Sequence, residues 1–77
     1  IKGNLGHTES ASGVAGLINA CLAIRHRTLP PQLHFETPNP MIPWAEVPVV
    51  VQRELEPWPF PEPPLVGLNS FGISGTN

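Results

Sequence analysis

Between Ser10 and Ile24 the chain carries a single strongly polar side chain, Asn19. Ala11, Val14, Ala15, Leu17, Ile18, Cys21, Leu22 and Ile24 recur there at spacings of three and four, which predicts a helix from about Glu9 to His26. A helix on the surface of a small protein keeps a polar face toward water, but this one has apolar or small residues around nearly its whole circumference. It has to be covered on several sides. A chain of 77 residues buries only about 60% of the surface it exposes when unfolded, so it has little material for that task. The stretch therefore predicts an element from the interior of a large protein. Gly13 and Gly16 each cost up to ~1 kcal/mol in a helix relative to Ala, which is best explained if another backbone comes close on that side.

The ends of the helix carry matching signals. Thr8 or Ser10 can serve as N-cap, Glu9 complements the positive end of the dipole, and Arg25 and Arg27 complement the negative end. Pro30 and Pro31 end the helical region and open an extended loop to Pro43, punctuated by Pro38 and Pro40, with Leu33 and Phe35 expected to turn inward. Residues 47–55 contain the run Val49-Val50-Val51 and read as an edge strand, given Pro48. Residues 57–64 form a proline-rich, extended connector. Residues 65–71 read as a second strand leading into the turn Gly72-Ile73-Ser74-Gly75, whose small residues let backbone approach a ligand. No internal boundary divides residues 1–77, and both ends read as cut from a longer chain.

Composition excludes several classes. The formal charge is −2, and Lys2, Arg25, Arg27 and Arg53 are the only Lys and Arg residues, so no basic patch suits a nucleic-acid backbone. Cys21 is the single cysteine, which rules out an internal disulfide and fits a reducing compartment, here expected to be cytoplasmic. No apolar run approaches the length of a membrane span. Eleven prolines and seven glycines are high usage, yet the 40% of hydrophobic residues lie in a few blocks, which argues against general disorder. His26 and His34 have no second ligand at metal spacing, so no metal is expected.

The chemistry lies just before the helix, in Lys2-Gly3-Asn4-Leu5-Gly6-His7-Thr8-Glu9-Ser10-Ala11-Ser12-Gly13. A histidine sits there five residues after a cation, where unpaired backbone N–H groups and the positive end of a helix favour a neutral imidazole. Such an imidazole can donate a hydrogen bond to a developing oxyanion without changing its own charge. Gly-His before a helix is not specific by itself, and the bland alternatives stay open: a histidine in an ordinary turn, a surface lysine at a strand end.

Three blocks together are specific. The string from Ile1 to Gly13, then Leu33-His34-Phe35-Glu36-Thr37-Pro38-Asn39-Pro40, then Asn69-Ser70-Phe71-Gly72-Ile73-Ser74-Gly75-Thr76-Asn77, resembles the β-ketoacyl synthase (ketosynthase) domain of modular type I polyketide synthases, in that family's order and over nearly the whole chain. The resemblance implies part of the C-terminal half of a thiolase-like layered αβαβα fold, of class α/β, normally a homodimer. It implies decarboxylative Claisen condensation of an acyl thioester with a malonyl-type extender on an acyl carrier protein. The implied partners are the acyl carrier protein and acyltransferase domains of the same synthase. No cofactor is expected to bind directly; the phosphopantetheine arm of the carrier brings the substrate.

Residue by residue, His7 matches the second of the family's two active-site histidines, which hydrogen-bonds the extender's thioester carbonyl as it becomes an enolate. Lys2 matches the lysine five residues before it, implying a buried ammonium that steadies the histidine network. Asn4 and Thr8 are supporting neighbours. Phe71, Gly72 and Ile73 match the glycine-rich loop beside the nucleophile, where the N–H at the position of Ile73 helps form the oxyanion hole and its side chain gates the acyl pocket. Fatty-acid ketosynthases usually have Phe there, so Ile73 follows the polyketide pattern. The family's nucleophilic cysteine and first histidine belong upstream of Ile1, so this chain alone is expected to be inactive. Cys21, mid-helix with no base beside it, reads as a packed, inert thiol. Two other readings remain: a ketosynthase that does not elongate, and an interaction module whose residues 57–64 form a polyproline II ligand, although no basic residue adjoins those prolines.

Overall fold

The structure, a computed structural model, describes residues 1–76; Asn77, the last residue of the glycine-rich block, lies outside the described residues. One helical turn, α1 (Lys2–Leu5), precedes a 3-10 turn over Glu9–Ala11, which runs into the main helix α2 (Ser12–His26). Two short strands follow, β1 (Thr28–Leu29) and β2 (Glu56–Pro57). They pair antiparallel, Thr28 opposite Pro57 and Leu29 opposite Glu56. The architecture is α/β in this coarse sense.

Helix α2 occupies the region that its periodicity predicts, and its ends show why it stops there. Arg25 and His26 stand in the last turn, on the negative end of the dipole. Arg27 then takes a left-handed conformation, φ 51° and ψ 45°, and its N–H caps the carbonyls of Ala23 and Ile24. This reversal sends the chain back as β1. The N–H of Trp58 donates to the carbonyl of Arg27 at 2.8 Å, Glu62 forms an ion pair with the Arg27 guanidinium, and Trp58 meets Phe60 edge to face at 5.4 Å. The proline-rich connector is thus fastened to the end of α2.

The faces of α2 are divided by size. Ser12, Gly13, Ala15, Gly16, Asn19, Ala20 and Ala23 are half-buried against the rest of the chain, whereas Val14, Leu17, Ile18, Cys21 and Leu22 are exposed. Leu68 and Ser70 lie along the small-residue face. A Cβ on Gly16 would stand 2.6 Å from Cδ1 of Leu68, and one on Gly13 would stand 3.6 Å from the Ser70 side chain. The close neighbours at the two glycines are therefore side chains, where a backbone was expected.

The two expected strands are absent: residues 47–55 and 65–71 are irregular. A strand's hydrogen bonds are made to another strand, and among the described residues neither segment has a ladder partner. One backbone bond, from Gln32 N–H to the Gln52 carbonyl at 2.8 Å, reaches the first of them, and Val50 remains 89% exposed. The loop over residues 30–43 is present. Phe35 is half-buried with the Arg53 guanidinium 5.0 Å from its ring centre, but Leu33, expected to turn inward, remains 40% exposed beside Gly3.

No described residue is fully buried. The accessible surface is 6569 Å² for an 8.3 kDa chain; a compact protein of that mass exposes about 4,600 Å². The radius of gyration, 14.0 Å, likewise exceeds the roughly 11.5 Å of a compact domain of this length. What surplus surface there is includes the outer face of α2.

Candidate functional site

The approach to His7 is built from backbone. The Ile1 carbonyl accepts the N–H groups of Asn4 and Leu5 at 3.0 and 3.2 Å, and Gly6 N–H closes α1 on the Lys2 carbonyl at 2.8 Å. Gly6 then adopts φ 79° and ψ −172°, a region essentially reserved for glycine. His7 leaves α1 from that bend, and Glu9 N–H donates to its Nδ1 at 3.3 Å. Neither Thr8 nor the residue before α2 makes a side-chain cap, so the imidazole takes the place expected of Thr8 or Ser10. A neutral imidazole that accepts at Nδ1 carries its proton on Nε2. His7 thus has an N–H donor on the side away from its own backbone contact.

Lys2 is exposed and, among the described residues, has no carboxylate partner. The resemblance implied a buried ammonium; the chain as described provides nothing to bury it. Asn4 is exposed, and Thr8 is half-buried with its carbonyl accepting Ala11 N–H at 3.0 Å. Lys2, His7 and Thr8 border an open cleft of about 910 Å³ between the small-residue face of α2 and residues 65–71. Ser12, Ser70 and Phe71 border it as well. Asn4, Gly72 and Ile73 do not line it.

Beyond Phe71, outside the cleft, Gly72 N–H donates to the Thr76 carbonyl at 2.5 Å and Gly75 N–H to the Gly72 carbonyl at 3.1 Å. Gly75 has φ 90°, and a Cβ on Gly72 would meet the Thr76 carbonyl oxygen at 3.1 Å, so both glycines are required by the tightness of this turn. Ile73 stands at its apex, fully exposed, and its N–H has no acceptor among the described residues. Two donors thus have no acceptor among the described residues: the imidazole N–H of His7, which borders the cleft, and the backbone N–H of Ile73, which stands off it. Donors of this kind stabilise negative charge on oxygen.

Cys21 is an exposed free thiol on the outer face of α2, not the packed one that its apolar neighbours suggested. It does not border the cleft. His26 and His34 are exposed, and no cluster of three His, Cys, Asp or Glu side chains occurs among the described residues. No helix among them is long and apolar enough to cross a membrane. The Ser12–Ser70 hydrogen bond beside the cleft has no counterpart in the sequence reading, since two serines separated by 58 residues give no local signal of contact.

Comparison with known proteins agrees with the three blocks. Residues 1–36, which include Lys2, His7 and all of α2, match the family model of the β-ketoacyl synthase C-terminal domain. That match covers just under half of the chain, and the relatives extend the likeness over the rest: all 77 residues are similar to polyketide synthases, which supports a C-terminal ketosynthase segment of that kind. A highly reducing polyketide synthase of Alternaria alternata is 51% identical over all 77 residues, and one of Gibberella moniliformis is 49% identical over the same span. An erythronolide synthase of Saccharopolyspora erythraea is 49% identical over 78 aligned residues, again the whole of this chain. The chain spans only 3%, 3% and 2% of these proteins respectively. No solved structure matches.

Proposed function

We propose that this chain supplies the enolate-stabilising half of a ketosynthase site that performs decarboxylative Claisen condensation during polyketide chain elongation. The observation that carries the proposal is the engagement of His7 Nδ1 by Glu9 N–H, which leaves Nε2–H as a donor at the cleft. A malonyl-type thioester on the phosphopantetheine arm of an acyl carrier protein enters with its carbonyl oxygen toward that donor. The bond to the carboxylate breaks, CO2 leaves, and the electron pair forms the enolate. The enolate carbon attacks an acyl thioester held on a cysteine; a carbon–carbon bond forms and the cysteine thiolate departs. Ile73 N–H helps hold the oxyanion of that attacked carbonyl, and its side chain borders the acyl group. Lys2 contributes positive potential at the cleft mouth, and Asn4 and Thr8 support the loop.

The nucleophilic cysteine and the first histidine lie outside residues 1–77, and the isolated chain is inactive. Carrier and acyltransferase domains of the same synthase are the partners, and the layered fold, the homodimer and the cytoplasmic setting follow from the same reading. A highly reducing polyketide synthase and an erythronolide synthase match at 51% and 49% identity, so the modular arrangement is a narrower proposal than the chemistry.

The test uses the longer synthase. It is incubated with an acyl thioester, and the added mass is located by peptide mapping. Label on a cysteine outside residues 1–77, with His7→Ala slowing decarboxylation about 10²–10³-fold while acylation continues, is the expected result. Label on Cys21 overturns the proposal. No label, with decarboxylation intact, replaces it with the non-elongating ketosynthase.

A further inference from the structure

The loops that carry His7 and Ile73 are distant in sequence, and one contact joins their roots. The hydroxyls of Ser12 and Ser70 lie 2.8 Å apart in a part-buried position, at the usual length for such a bond. Ser12 is the first residue of α2, five positions after His7, and Ser70 stands three positions before Ile73. Beside this pair, Gly13 and Gly16 open a trough in α2 that receives the side chains of Ser70 and Leu68. The pair borders the same cleft as His7 and Phe71. A hydrogen bond fixed at one end to a helix and at the other to the stem of a glycine turn sets the separation of what lies beyond each end.

We infer that the Ser12–Ser70 hydroxyl pair is a positioning contact that sets the distance between the His7 donor and the Ile73 N–H, and so governs the condensation step. The inference rests on the functional reading above. Acylation of the cysteine needs the Ile73 loop, and decarboxylation needs His7. Only condensation needs both at once, because the enolate carbon must reach the acyl carbonyl. A displacement of one site against the other therefore harms condensation more than either half-reaction; misplacement by about 1 Å can cost as much as 10²-fold in rate.

The experiment is done in the complete synthase with Ser12→Ala, Ser70→Ala and the double variant. Cysteine acylation by an acyl thioester, CO2 release from a malonyl thioester on the carrier protein, and condensation are measured separately, together with thermal unfolding. The expected result is a roughly tenfold fall in the kcat of condensation, with KM for the carrier-bound extender and both half-reactions within about twofold of the starting enzyme. The double variant falls no further than either single one, and Ser12→Thr, which keeps a hydroxyl, recovers most of the rate. Equal losses in all three steps, tracking a lower unfolding temperature, would reduce the pair to ordinary packing and overturn the proposal. Unchanged condensation overturns it too. His7→Ala run alongside separates the two levels: full decarboxylation by that variant removes the functional reading itself, whereas its loss with normal serine variants removes only the positioning role.

Discussion

Cδ1 of Leu68 lies 2.6 Å from the point where a Cβ on Gly16 would sit, closer than two non-bonded carbon atoms stand. The helix that leads away from His7 and the segment that leads toward Ile73 therefore meet at a position where even an alanine forces a movement. Leu68 is itself 45% exposed, and its Cδ1 is the end of a flexible side chain. Whether it can move depends on what lies on its other side, and this gives the contact different consequences in different contexts.

In the isolated chain, Gly16→Ala should increase helix content, because Leu68 can swing toward solvent while the helix gains up to ~1 kcal/mol of propensity. In the complete ketosynthase domain, where the proposed fold covers residues 65–71, the same change should lower stability by about 1–3 kcal/mol, as overpacking does. Gly13→Ala serves as the control, since its Cβ would make only an ordinary 3.6 Å contact with Ser70. It should be stabilising or neutral in both. Circular dichroism of the isolated chain and thermal unfolding of the domain check the pair; a gain for Gly16→Ala in both contexts would show that Leu68 is not held in the domain.

Gly6→Ala tests the bend rather than the packing. No atom lies within 4 Å of a Cβ built there, so the substitution meets no clash, but φ 79° with ψ −172° costs an L residue on the order of 1–3 kcal/mol. The chain can relieve this by rotating the Gly6–His7 peptide, which moves the imidazole. Decarboxylation by the complete synthase should then fall at least tenfold while cysteine acylation persists. Wild-type decarboxylation in this variant would mean that the bend does not place His7.

The outer face of α2 offers a sharper contrast. Leu17 is 53% exposed in the chain as described, so Leu17→Ala should change the helicity of the isolated chain little. If the rest of a ketosynthase covers that face, the same substitution opens a cavity and should cost about 2–5 kcal/mol in the domain. A loss below about 0.5 kcal/mol in the domain would leave α2 at a surface and would contradict the reading of the chain as an interior segment.

Helix α2 was legible from sequence because its hydrogen bonds close within four residues and its spacing is local. The 3-10 entry and the imidazole at Glu9 N–H were not, since Thr8 and Ser10 are the more usual capping types and the alternatives differ by a single local contact of 3.3 Å. Strands are another matter. Val49-Val50-Val51 states a preference for extended backbone but names no partner, and the pairing that does form, Thr28 with Pro57, joins residues with no strand pattern at all. Of the candidate residues, Lys2, His7, Thr8 and Phe71 meet at one cleft, while Asn4, Gly72 and Ile73 stand off it. The motif strings thus marked two loops of which only part borders the cleft, and the contact between their roots, Ser12 with Ser70, could be read only in three dimensions.

The surface itself carries the last prediction. An excess of about 2,000 Å² over a compact protein of this mass is as large as many whole protein–protein interfaces. Its members include Val14, Leu17, Ile18 and Leu22 on α2, and Leu65, Val66, Leu68 and Phe71 beyond the connector. At ~25 cal/mol per Å² of apolar area, even half of that surface left in water forgoes about 25 kcal/mol of burial, more than the whole net stability of a typical domain. The Arg27–Glu62 pair cannot offset this, since both side chains are at least half exposed and such pairs contribute little. The isolated 77-residue chain should therefore give collapsed amide NMR dispersion and unprotected hydrogen exchange outside residues 12–26, and the same amides should be protected in the complete domain. A dispersed, slowly exchanging spectrum from the isolated chain would show that it folds without covering, and the account of α2 as an interior helix would fail.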